Sequence, residues 1–347
     1  MKTTSILRFV TVATALLTGL VASAQVVAAA PYTVSVFATS IPGVDFAPDS
    51  IAVLDGHVFV GYGDGAAPDG SDGKSSTIVE YTLNGDMVTT YTVPGHNDGL
   101  RTNPKTKRVW AMQNEDGSPN LVIIDPKNQT QRLYTFGPTP HGGGYDDIVF
   151  RGDDVFVSAS NPANNPNNAP AIVKAELKGK TVVVTPVLSG TATATDIPTD
   201  TPVVLNLQDP DSMILNAFGD LVLDSQADAE LIIVHRPGSS DQSVYHLPIT
   251  KNGSPVQIDD TVFATASHGV ILVADRDGET VYAISRNLFA PGAAYSATPN
   301  SVAALDPETG VLTDVVTGMV SPHGMAFIPN RDGNNRDRND DEGEKRR

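Results

Sequence analysis

The sequence predicts an all-β chain, a β-propeller of four-stranded blades, on three observations. Short runs rich in Val, Ile, Tyr and Thr recur with turn dipeptides between them. No amphipathic helical period follows the N-terminal stretch. One motif, an acid or histidine, then a small or polar residue, then an apolar run, returns six times. β-branched and aromatic side chains suit the pleated, half-buried surface of a strand. The 30 Gly and 25 Pro in 347 residues break the chain too often for long helices.

Residues 1–24 read as a secretory leader. Lys2 and Arg8 begin it, an apolar run follows from Phe9 to Leu20, and Ala22-Ser23-Ala24 supplies the small residues before a cut at Gln25. The apolar run is shorter than the roughly 20 residues a bilayer span needs. The expectation is a secreted protein, extracellular or periplasmic, with no membrane attachment after cleavage. Cysteine is absent, so stability outside the cell must come from the core of a single domain over 25–330. The segment 331–347 has no apolar residue and is expected to be a disordered charged tail without chemistry.

The whole chain carries 23 basic and 40 acidic side chains, for a net charge of -17. Setting aside two basic residues in the leader and six of each sign in the tail leaves 15 against 34. Such an acidic body repels phosphate backbones and gains nothing from counterion release, which excludes DNA or RNA as a partner.

Between these ends the strand-like runs include HVFVGYG (57–63), TIVEYTL (77–83), NLVIID (120–125) and GVILVAD (269–275). Asn84-Gly85, Asp125-Pro126 and the stretch from Asp306 to Gly310 supply hairpin turns. The six motif copies are PDSIAV, NDGLRT, YDDIVF, PDSMIL, DDTVFA and PHGMAF. Their leading polar residues are Asp49, Asp98, Asp146, Asp211, Asp260 and His323. Successive intervals are 49, 48, 65, 49 and 63 residues. Each regular interval holds about four strand-like runs, the signature of blades repeated around an axis. Six blades are expected, with five or seven as alternatives. The long intervals are assigned to low-complexity loops: NPANNPNNAP (161–170), TATATDIPTDTP (191–202) and LFAPGAAYSATPN (288–300). No strand follows PHGMAFIP, so YTVSVFAT (32–39) should complete the ring and the last blade should be short.

In a four-stranded blade the loop entering the inner strand and the loop joining the second and third strands open on one face. The six motif residues should therefore crowd the channel mouth, beneath the loops 63–76, 114–119, 161–170 and 276–279. Five converging carboxylates raise one another's pKa unless a cation neutralises them. Oxygen donors without cysteine suit calcium best, with magnesium or manganese open, and zinc if histidine joins. The competing reading is an Asx turn, an Asp that caps the strand entry. Asp64, Asp69 and Asp72 are treated as a solvated loop in preference to a second calcium loop. His141-Gly-Gly-Gly144 resembles an esterase oxyanion loop, but no GxSxG accompanies it. Gly73-Lys74-Ser75 lacks the first glycine of a phosphate loop. His57 and His268 should lie at the far end of the blades, and His235 and His246 on outer strands.

On PDSIAV, PDSMIL, GVILVAD, LDPETG (305–310) and PHGMAF, residues 32–329 resemble the secreted NHL-repeat and gluconolactonase-like six-bladed propellers, a group related to streptogramin lyase and strictosidine synthase. The resemblance implies a divalent cation in the channel, held by carboxylate and Asn side chains, with an Asp as acid or base. By position these fall on Asp49, Asp146, Asp211 and Asp260, while the family's opening Glu-Gly-Pro is replaced here by Phe46-Ala47-Pro48-Asp49. Asp49, Asp211 and Asp260 are therefore the expected cation ligands. Asp146 and His323 are left for proton transfer, and His96, Asp98 and His141 for ligand contacts. The expected activity is metal-dependent hydrolysis or elimination on a lactone-like substrate. The alternative is a non-catalytic binding or scaffold propeller, monomeric in either case, for a small molecule or glycan.

Overall fold

The computed structural model describes residues 25–330; the leader and the charged tail lie outside the described residues. Within them the regular elements are all β-strands. Middle strands bury both faces, as His57–Tyr62 and Arg108–Gln113 do almost throughout. They are held between neighbouring sheets, so their sequences read as unbroken apolar runs. Outer strands such as Met87–Pro94 and Thr181–Ser189 are exposed along much of their length.

The first four sheets are antiparallel meanders laid down in order from inside to outside. Sheet one is Pro48–Leu54, His57–Tyr62, Ser75–Thr82 and Met87–Pro94. Sheet two is Asn97–Asn103, Arg108–Gln113, Asn120–Asp125 and Thr130–Phe136, and sheet three Ile148–Arg151, Asp154–Ser158, Pro170–Lys178 and Thr181–Ser189. These two also touch through their outer strands, in parallel, at Thr135 with Thr181 and Phe136 with Val182. Sheet four is Pro210–Leu215, Leu221–Ser225, Glu230–His235 and Ser243–Pro248.

The last two sheets are interleaved. Sheet five pairs Thr261–Phe263 with Ala294–Thr298, Ser301–Leu305 and Leu312–Thr317, and Val27–Ala28 adds to its edge. Sheet six pairs Pro322–Pro329 with Gly269–Asp275, Thr280–Ser285 and Thr33–Thr39. The chain thus leaves the inner strand of sheet five, forms the two middle strands of sheet six, and returns. Three sequence expectations are corrected. The last blade is not short, because GVILVAD serves the sixth unit and makes its sheet a full four strands. The stretch 288–300 is not all loop, because Ala294–Thr298 is a completely buried strand; its Ala and Ser content imitates low complexity but packs among close neighbours. The stretch 191–202 likewise contains most of a hairpin, Thr193–Asp196 with Thr201–Val204, docked in parallel on the outer edge of sheet four.

Inner strands neighbour one another in the cyclic order one to six and back to one, so the sheets surround a central channel as a β-propeller. Two of these approaches depend on glycine. A Cβ on Gly99 would lie 2.2 Å from the Asp146 carbonyl, and one on Gly324 2.4 Å from that of Asp49. The core lies between sheets: Val58, Val60 and Val79 of sheet one pack on Leu272, Ala274 and Val281 of sheet six. The inner strand of sheet six is C-terminal and its outer strand N-terminal, so the two ends of the domain are joined through one hydrogen-bonded sheet.

Candidate functional site

Each inner strand enters the channel from the same face, and two hydrogen bonds fix which residue of each motif leads. Met213 N–H donates to Asp147 Oδ2 at 2.9 Å, and Met325 N–H donates to Asp260 Oδ2 at 2.6 Å. Met213 and Met325 stand at the same place in PDSM and PHGM, so Asp147 and Asp260 are equivalent, both one residue past the ring. The ring is therefore Asp49, Asp98, Asp146, Asp211, Asp259 and His323. Asp260, expected as a cation ligand, is displaced by its neighbour. Consecutive strand residues point to opposite faces, so a slip of one residue exchanges a channel-facing acid for one turned toward the next strand.

His323 confirms the assignment, with its Nδ1 3.0 Å from Asp259 Oδ1 and 3.3 Å from Asp49 Oδ1. Burial alone would lower the His323 pKa, but the carboxylates of Asp259 and Asp49 outweigh it and hold it well above its ordinary value. Asp49 is opposed by burial in the same way, yet His323 and Arg276 bring it down to about 2. At Asp98, Asp146 and Asp211 no positive charge outweighs burial in this way. Burial, and then repulsion among themselves and from Asp49, Glu115, Asp147, Asp209 and Asp259, pushes all three well above the usual carboxylate range. Asp146 is 4% exposed and its Oδ1 has no hydrogen-bond partner among the described residues.

The surrounding loops sit on this face as their positions in the repeat require. Asp116 N–H donates to Pro68 O, joining loops 63–76 and 114–119, while Ala47 N–H donates to Glu279 at 2.9 Å. His96 is buried under these loops with Nδ1 3.0 Å from Glu115 Oε2. Gly63 makes room for it, since a Cβ there would be 2.7 Å from His96 Nε2. Among the described residues, two sets of three groups bring ligand atoms within 4.8 Å of one another: Asp49, Asp259 and His323, and His96, Asp98 and Glu115. Asp211 faces Asp146 and Asp259 across the ring but joins neither set.

His141 is buried behind the mouth. Its Nε2–H donates to Gly144 O, its ring packs 5.1 Å from that of Tyr145, and Nδ1 has no partner. It supports the loop that delivers Asp146. The carboxylates of 63–76 do not converge. Asp69 accepts Ser71 N–H and Asp72 accepts Lys74 N–H as Asx turns, while Asp72 also accepts Ala67 N–H and Asp64 accepts Phe46 N–H. His57, His235 and His246 pair with Glu80, with Asp220, and with Asp196 and Glu230, away from the ring.

Below the ring, Arg101 spans the waist of the channel. Its Nη2 is 2.6 Å from Asp147 Oδ2, 3.0 Å from Met213 O and 3.9 Å from Asp260 Oδ1. Sequence reasoning passed over Arg101, Glu115, Asp259 and Arg276. Glu115 and Arg276 lie in loops placed on this face, and the doubled acid of DDTVFA was a visible ambiguity. Nothing local distinguishes Arg101 from a surface arginine.

The fold has counterparts among solved structures. Its structural neighbours are gluconolactonase-like and streptogramin-lyase-type propellers. The chain is similar to a periplasmic gluconolactonase of Pseudomonas aeruginosa, with 10% identity over 81% of this chain and 88% of that one, at a TM-score of 0.47. It is similar to virginiamycin B lyase of Staphylococcus aureus, with 10% identity over 87% and 89%, at 0.46. It is also similar to a protein of unknown function from Bacteroides caccae, with 10% identity over 82% and 87%, at 0.49. No protein-family model matches the sequence, and no curated protein does.

Proposed function

We propose that this is an exported propeller that binds a divalent cation in its acidic mouth and uses it in hydrolysis or elimination on a lactone-like ester. One observation carries the reading: burial and mutual repulsion at the mouth push Asp98, Asp146 and Asp211 well above the usual carboxylate range, and Asp146, 4% exposed, keeps an oxygen without a partner among the described residues. Buried polar atoms are nearly always partnered, and a cation satisfies several carboxylates at once. The donors are carboxylate oxygens with one imidazole in each cluster, a set that fits calcium, magnesium or manganese and admits zinc.

Asp49 and Asp259 with His323, or Asp98 and Glu115 with His96, would hold the ion. When bound it supplies polarisation of a carbonyl and acidification of water. Asp146 is the group that carries the proton, because its raised pKa lets the carboxyl be protonated much nearer neutrality than an ordinary Asp. Arg276, close to Asp49 at the rim, orients an electron-rich part of the substrate. Metal analysis, calorimetric titration with each cation, and a lactone panel assayed with and without chelator test this reading. Chelator-sensitive turnover that Asp146→Asn removes supports it.

A second reading, a non-catalytic binding module, draws on His323. Its imidazole already sits between Asp49 and Asp259, so the mouth accommodates an organic cation unaided. A protein inert toward every lactone but tight for a cationic or glycan ligand supports that one.

A further inference from the structure

The inner strands run from the acidic ring to the other end of the channel, and their later residues are apolar. There Val53, Val149, Ile214, Phe263, Ala326 and Phe327 line a cavity of about 360 Å3, to which Arg101 and Thr102 also contribute. Thr265, at its edge, is exposed, so the cavity opens to solvent on the face opposite the ring. Every one of the six inner strands supplies part of the wall. A concave apolar surface of this size, wetted, forfeits the free energy its burial would release, and pockets of about 300–1,000 Å3 with a few placed polar groups are what small-molecule sites look like.

The polar group is Arg101. Among the described residues, both of its hydrogen bonds leave from Nη2, toward Asp147 and Met213 O. Arg101 is one of the residues that line the cavity, and its side chain is 20% exposed. Arg101 has five N–H donors and no acceptor. Its charge is met by Asp147, with Asp260 a further carboxylate 3.9 Å away, so the waist has no positive charge left for an anion.

We propose that this cavity is a second ligand site, at the opposite end of the channel from the acidic mouth, for a neutral, mainly apolar small molecule with one carbonyl oxygen. The apolar body fills the cavity formed by the six strands, and the carbonyl accepts a hydrogen bond from Arg101. Carboxylate-headed amphipaths are rejected by the acids behind the arginine, and an ammonium head finds no acceptor on the guanidinium. The site does not depend on the cation or the chemistry proposed for the mouth.

The test uses 6-propionyl-2-(dimethylamino)naphthalene, a neutral aromatic ketone whose emission shifts to the blue in apolar surroundings, with the full-length exported protein. Saturable binding with a blue shift is expected, unchanged by chelator. Dimethylaminonaphthalene without the ketone should bind about tenfold more weakly, the value of one hydrogen bond to a charged donor. Anilinonaphthalene sulfonate, of similar shape but anionic, should bind at least as weakly. Thr265→Trp, a change at an exposed rim position, should abolish ketone binding while the melting temperature stays the same. Equal binding of the three probes, no saturable binding of the ketone, or ketone binding that survives Thr265→Trp would overturn the proposal.

Discussion

His323 Nδ1 lies 3.0 Å from Asp259 Oδ1, and that contact makes Asp259, not the adjacent Asp260, the fifth sheet's member of the acidic ring. Asp260 instead accepts Met325 N–H and shares Arg101 with Asp147. The two neighbouring acids thus serve different ends, one facing the channel mouth and one tying inner strands together.

The first prediction separates them. Asp259→Asn should weaken divalent-cation binding at least about tenfold. Asp260→Asn should leave cation affinity within a factor of about three but lower the melting temperature, because a charged partner of the waist is lost. Titration calorimetry and thermal unfolding of both variants check this; the reverse pattern would sink the register assignment.

Asp146→Asn should reduce turnover on any lactone substrate by about 100-fold or more, the usual scale for losing a positioned acid or base. The same variant should be no less stable than the parent at pH 7, since it removes one of several mutually repelling buried carboxylates. Steady-state kinetics beside melting curves show whether activity and stability part in this way.

Removal of the cation has a signed pH dependence. Asp98, Asp146 and Asp211 have folded pKa values raised well above 3.8, so as pH rises above that value the unfolded chain loses these protons first. Stability without cation should therefore fall as pH climbs from about 4 through the raised folded values. With saturating cation the decline should flatten, because binding to the native state alone adds stability. Melting temperatures from pH 4 to 8, with chelator and with cation, give the comparison.

His246 holds the extra hairpin of sheet four, 2.8 Å from both Asp196 Oδ1 and Glu230 Oε2. The Glu230 hydrogen bond is the main cause of its raised pKa; burial opposes it and Asp196 adds to it. A raised histidine stabilises fully below its ordinary value of about 6.5 and loses that contribution as pH rises through the folded value. His246→Gln should cost about 1.5–3 kcal/mol at pH 5.5 and clearly less at pH 9. Hydrogen exchange in Thr193–Val204 should quicken in the variant at low pH; equal exchange in variant and parent there would contradict the latch.

Deleting residues 25–39 removes the edge strand of sheet five and the outer strand of sheet six together, and should leave no cooperative unfolding transition. Ending the chain at Asn330 should leave the melting temperature within about 2 °C, because the lost segment has no apolar residue to bury. Calorimetry on the two truncations compares them directly.

The all-β class, the inner strands and the shared face of the motif residues were legible in the sequence, because each rests on local physics. Turn chemistry, β-branched runs and a repeated strand entry act over a few residues and leave their pattern in composition and spacing. The same pattern placed Asp49, Asp98, Asp146, Asp211 and His323 around one channel. Tertiary structure alone decided between Asp259 and Asp260, since that choice depends on which backbone N–H the next strand presents. It also decided that Gly269–Asp275 joins Pro322–Pro329 and not its sequence neighbour Thr261–Phe263, and that Arg101 closes the waist of the channel. These are contacts between segments dozens to more than a hundred residues apart, whose energies come from packing and hydrogen bonding after the ring has closed, and no local signal encodes them.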